Sequence, residues 1–240
     1  MEFDGTCKLD NGLYYFDDRG DSVLWSVALN TAEDFVPLAI HEIDVIMPNP
    51  CEPGSLILAS DSYYLSKKYP LETLKDYAEA HAFSDYMAMS ACLKSFGTFG
   101  QYKSPWINPF FALCPLEGVG HSLWINPLRI HRINYYNGEL FATLDSGQII
   151  LLPIQRRSLI HRLALTCLAF ATLRRDCFYI TTRSENPIDY LTFRNTPFSR
   201  ILARRPVLGA FTVSYGKLLK RYQEVLFYYT YEQLDYEDLE

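Results

Sequence analysis

The stretch Ser122–Ile154, SLWINPLRIHRINYYNGELFATLDSGQIILLPI, decides the fold class. Short runs rich in Ile, Leu, Tyr and Phe (Ser122–Ile125, Leu128–Asn134, Glu139–Leu144, Gln148–Ile154) are separated by turn residues, chiefly Asn137-Gly138 and Ser146-Gly147. Both dipeptides tolerate positive φ, as tight hairpins demand. Trp106–Leu113 reads as a further strand, so the pattern predicts a central antiparallel β-meander over about 106–154. The next stretch, Gln155–Arg175, has no Gly or Pro and gathers Leu159, Leu163, Cys167 and Phe170 on one side of a helical wheel. It reads as a long helix packed on the sheet, 155–175, and the chain as α+β.

Working outward, Phe178–Thr182 and Val207–Tyr215 read as later strands, and Lys217–Tyr231 as a C-terminal helix with an acidic, tyrosine-rich end. The N-terminal segment is mixed. Gly12–Phe16 and Ser22–Leu29 are β-like runs, Ile40–Met47 is an apolar run stopped by Pro48-Asn49-Pro50, and Leu71–Ser90 has helical spacing.

Charge divides the chain into three segments. Residues 1–100 hold six basic and sixteen acidic residues, leaving −10. Residues 101–222 hold sixteen basic residues, thirteen of them Arg, against six acids, leaving +10. Residues 223–240 have six acids and no base. A surface that merely solvates a fold intersperses the signs. An Arg-rich segment attracts polyanions through counterion release and bidentate phosphate contacts. The opposing reading is that these arginines are paired internally with the acidic N-terminal segment, which would make the chain a protein-interaction module.

The remaining features narrow the function by what they lack. With 49% hydrophobic and 21% charged residues, the 240-residue chain is not wholly disordered. Its longest run free of Asp, Glu, Lys and Arg, Ser104–Leu116, is too short to span a bilayer. The N-terminus shows no secretory signal, so a cytoplasmic protein is expected. The six cysteines stand singly and read as reduced, mostly buried thiols, with no metal or cofactor expected. The histidines are dispersed. His131 and Asp145 could meet across a hairpin, but no nucleophile elbow accompanies them, and no phosphate-binding Gly loop is present, so no enzyme is expected.

Several motifs in one order carry a resemblance. Cys92-Leu-Lys-Ser-Phe-Gly-Thr-Phe-Gly100, Lys103-Ser104-Pro105 and Phe110-Phe111-Ala-Leu-Cys-Pro115 come first. Ser122-Leu-Trp-Ile125, Asp145-Ser-Gly-Gln148, Leu152-Pro-Ile154 and the following helix come after. Over roughly residues 90–175 the chain resembles the family of ComK, the bacterial competence transcription factor. A shorter segment, Trp124–Arg157, is similar to LytTR-type DNA-binding domains. The ComK resemblance implies a cytoplasmic transcription activator that binds A/T-rich duplex DNA largely through the minor groove and works as an oligomer on paired sites. It also implies control by proteolysis through an adaptor and a Clp-type chaperone. The chain departs from the family in having few basic residues between Gly100 and Ser104 and an acidic first half.

Phosphate contact needs long cations on an exposed rim. Arg156, Arg157, Arg174 and Arg175 are the leading candidates, since at 100° per residue Arg156 aligns with Arg174 and Arg157 with Arg175. Arg162 and the Arg204-Arg205 pair follow. Narrow A/T tracts favour inserted guanidinium groups, for which Arg129, His131 and Arg132 on the meander are candidates. Strand alternation puts Arg129 and His131 on one face and Arg132 on the other. The organisation expected is an acidic segment over residues 1–100, a basic β-rich DNA-binding segment over 101–222 and an acidic tail over 223–240.

Overall fold

A computed structural model describes residues 14–20, 22–60, 62–100, 103–118, 121–178 and 183–237. The fold is α+β, with two sheets around a long central helix.

The smaller sheet is the meander read from the turn chemistry. Strands β8 (Ile130–Tyr136), β9 (Glu139–Leu144) and β10 (Ile149–Leu152) pair antiparallel in the order β10-β9-β8. Asn137 and Gly138, at φ 48° and 82°, make the two-residue turn between the paired Tyr136 and Glu139. Phe16 adds a parallel bridge on the outer edge, its N–H donating to Ile149 O at 2.8 Å.

The larger sheet runs β1-β4-β3-β2-β7-β6-β5. Its strands are β1 (Glu33–Asp34), β2 (Val45–Pro48), β3 (Ser55–Ala59), β4 (Ser62–Ser66), β5 (Trp106–Ile107), β6 (Ala112–Pro115) and β7 (Trp124–Ile125). Both faces of its centre are buried. Val45, Met47, Leu56, Leu58 and Ile125 point into the main core, whereas Ile46, Ile57, Leu113 and Trp124 join a second apolar cluster with Tyr77, Trp106 and Phe111. The meander is therefore divided: Trp124–Ile125 pairs with β2 and β6, not with β8. Asn126 and the 3-10 turn Pro127–Arg129 carry the chain from one sheet to the other.

Six helices complete the molecule among the described residues: α1 (Val23–Thr31), α2 (Pro70–Ala80), α3 (Tyr86–Ser95), α4 (Arg156–Phe178), α5 (Pro197–Ala203) and α6 (Lys217–Glu237). Helix α4 is apolar around most of its circumference in the middle, and Leu163, Ala164, Cys167, Leu168, Ala169 and Ala171 are all buried. A helix of that composition belongs at the centre. It packs against the larger sheet through β5 and β6, and against α5 and α6.

Several expected elements differ. Ser22–Leu29 is not a strand: Ser22 caps α1, its Oγ accepting from Trp25 N, and Trp25 and Ala28 bury one helical face. Leu71–Ser90 is two helices, because Asp85 caps α3 by accepting from Ala88 N at 2.7 Å. Residues 207–215 form no strand; Pro206 opens a 3-10 turn and the segment packs Leu208 and Val213 into the core. Of the strand expected at Phe178–Thr182, Phe178 ends α4 and residues 179–182 lie outside the described residues. Cys92, Cys114 and Cys167 are buried free thiols, whereas Cys51 and Cys177 are exposed and Cys7 lies outside the described residues. No helix among the described residues is long and apolar enough to cross a membrane.

Candidate nucleic-acid interface

Helix α4 leaves the β10 turn with its first residues exposed. Arg156, Arg157 and His161 are open to solvent, and the Arg156 N–H donates to Tyr135 Oη at 3.3 Å. Arg162 is half-buried and donates to Leu116 O at 2.9 Å, the same carbonyl that Lys103 Nζ approaches at 3.5 Å. Burial first, and the neighbouring Arg162 charge second, lower the Lys103 pKa. The result is a basic cap on the N-terminal half of α4, at the positive end of the helix dipole. Arg156, Arg157, Arg162 and Lys103 make no ion pair among the described residues.

The other aligned pair lies in different surroundings. Arg174 stacks on Phe170 and Phe178, at 5.3 and 5.7 Å, and donates to Thr192 Oγ1; burial lowers its pKa. Arg175 is buried, donates to Val213 O at 2.8 Å and stands 3.5 Å from Asp176. The segments 187–190 and 206–208 pack on α4, whereas Arg156 and Arg157 at its start are exposed.

The candidates on the meander also separate. Arg129 is not on a strand but ends the 3-10 turn, and it is bound from the acidic N-terminal segment. Its guanidinium pairs bidentately with Glu42 and lies 3.1 Å from Asp44 Oδ1. Burial opposes its charge, but the Glu42 hydrogen bond and the fields of Glu42, Asp44 and Asp145 hold its pKa above the usual value. This arginine is mostly buried and neutralised within the molecule. His131 and Arg132, expected on opposite faces, are both exposed because a β-bulge interrupts the register between Ile130 and Arg132. His131 Nδ1 lies 3.8 Å from Asp145 Oδ1, and Arg194 pairs with the other oxygen at 3.0 Å. Helix α5 packs beside β8, with Thr196 Oγ1 donating to Ile130 O at 3.4 Å. This brings exposed Arg194 and Arg200 to the same edge as Arg132.

An acidic boundary adjoins the basic cap. A cleft of about 610 Å³ between the sheets is lined by Phe16, Met47 and Ile150 and by the carboxylates of Asp17, Asp18, Glu117 and Glu139, with no basic residue among the described residues. Its carboxylates make it unfavourable for a polyanion.

Reading the sequence missed Lys103, Arg194 and Arg200 as members of the basic surface. Lys103 stands inside a quoted motif, but nothing local signals that it meets Arg162. No family model, curated protein or solved structure matches the chain. The ComK resemblance rests on motif order alone.

Proposed function

We propose that the chain is a DNA-binding transcription regulator of the ComK type, contacting A/T-rich duplex through the cap on α4 and the β8–α5 edge. One observation carries the reading. Among the described residues, nine of the thirteen arginines in residues 101–222 make no ion pair, and only Arg129 pairs with carboxylates of the first hundred residues. Among the described residues, pairing with the acidic N-terminal segment, the basis of the interaction-module reading, involves one guanidinium. Arg156, Arg157 and Arg162 would bind phosphates alongside Lys103, while Arg132 and His131 would reach into the groove. Cytoplasmic location, action as an oligomeric activator and control through a Clp-type adaptor follow from the resemblance and belong to the same proposal.

The test is an electrophoretic shift on two duplexes of equal length, one A/T-rich and one G/C-rich. The proposal expects preferential retardation of the A/T-rich duplex and weaker binding to both after Arg132→Ala. Equal affinity for the two duplexes, or no shift at low salt, would overturn it.

A further inference from the structure

Below the C-terminal end of α4 a second cavity, of about 680 Å³, opens between Arg175, residues 183–185, Tyr190 and the segment 211–215. That volume is in the range of small-molecule sites. Tyr190, Phe211 and Tyr215 give it aromatic walls. The Arg175 guanidinium lies 3.9 Å from the Phe211 ring centroid, and its buried Nε has no hydrogen-bond partner among the described residues. A buried donor without an acceptor is uncommon in a folded protein. At the rim, exposed Arg183 makes no ion pair, and the hydroxyls of Thr212 and Ser214 make no hydrogen bond, among the described residues. The lining thus offers the Arg183 guanidinium and two hydroxyls, and Glu185 is the single carboxylate in it among the described residues.

We propose that this cavity binds a small aromatic molecule carrying one acidic group, a carboxylate or a phosphate. The anion takes the N–H and O–H donors of Arg183, Thr212 and Ser214, and the ring lies against the aromatic walls. The inference is independent of DNA binding, because these residues lie at the far end of α4 from Arg156 and Arg157. A 23-residue helix separates the two ends by about 33 Å.

The test titrates the full chain with benzoate, phenyl phosphate and inorganic phosphate, read by calorimetry and ligand-observed NMR. At least one aromatic anion binds saturably and more tightly than inorganic phosphate, and the better of the two tells carboxylate from phosphate. Arg183→Ala weakens that binding by about tenfold, Glu185→Gln strengthens it, and Tyr215→Ala weakens the aromatic probes while sparing inorganic phosphate. All three positions are exposed, so circular dichroism is expected to be unchanged. Absence of binding by both aromatic probes, inorganic phosphate binding as well as the better aromatic probe, or affinities indifferent to Arg183→Ala and Glu185→Gln would overturn the proposal.

Discussion

Asp44 is buried with one oxygen accepting from Ser60 N–H at 2.9 Å and the other 3.1 Å from Arg129 Nε. Burial pushes its pKa up to about 6, against the pull of Arg129 and of the Ser60 hydrogen bond. A carboxyl whose folded pKa exceeds its unfolded value binds more protons when folded, so its contribution to stability is lost as pH rises from about 4 to about 6. Asp44→Asn keeps an acceptor for Ser60 and removes this titration. Across that window the variant should gain roughly 2–3 kcal/mol relative to the parent, with no further change above about pH 7. Urea midpoints at the two ends of the window measure it. Arg129→Ala acts in the opposite sense, leaving Glu42 and Asp44 facing each other without a cation. It should cost about 3 kcal/mol or more in the same denaturation at pH 7. Neither pairing was visible locally, since 87 residues separate Arg129 from Glu42.

At the scale of elements, the hairpin Ile130–Leu144 and helix α4 were legible because their signals are local: Asn-Gly turn chemistry in one, and an uninterrupted run without Gly or Pro in the other. The β-bulge at His131 was not, because alternation assumes an unbroken register. The pairing of Trp124–Ile125 with β2 was not, because partners some 80 residues apart leave no mark in either segment. The start of α6 shows the same limit. Asp176, inside α4, accepts from Gly216 N at 2.9 Å and from Leu218 N at 3.1 Å, capping a helix that begins some forty residues later. Asp176→Ala should uncap α6 and remove the carboxylate beside Arg175, costing about 3 kcal/mol. Asp176→Asn should cost less. Thermal denaturation followed by circular dichroism would rank the two, and equal stabilities would contradict this account of the α6 start.

For the whole molecule, the charges separate in space without following the three sequence segments, since Glu117 and Glu139 of the basic segment share the acidic cleft with Asp17 and Asp18. Acidic residues line the cleft between the sheets, and basic ones gather on the first turns of α4 and along the β8–α5 edge. The candidate site was only partly legible. Arg156 and Arg157 stand exposed where a helix start would show them, whereas Arg129, Arg174 and Arg175 are taken up by ion pairs, ring stacking and backbone carbonyls. The most direct measurement is the salt dependence of binding to an A/T-rich duplex by fluorescence anisotropy, for the parent chain and for Arg156→Ala combined with Arg157→Ala. Each lost phosphate contact reduces the slope of log affinity against log salt by about 0.9. The account predicts a shallower slope, by roughly 2, with weaker binding at low salt. An unchanged slope and affinity would contradict it.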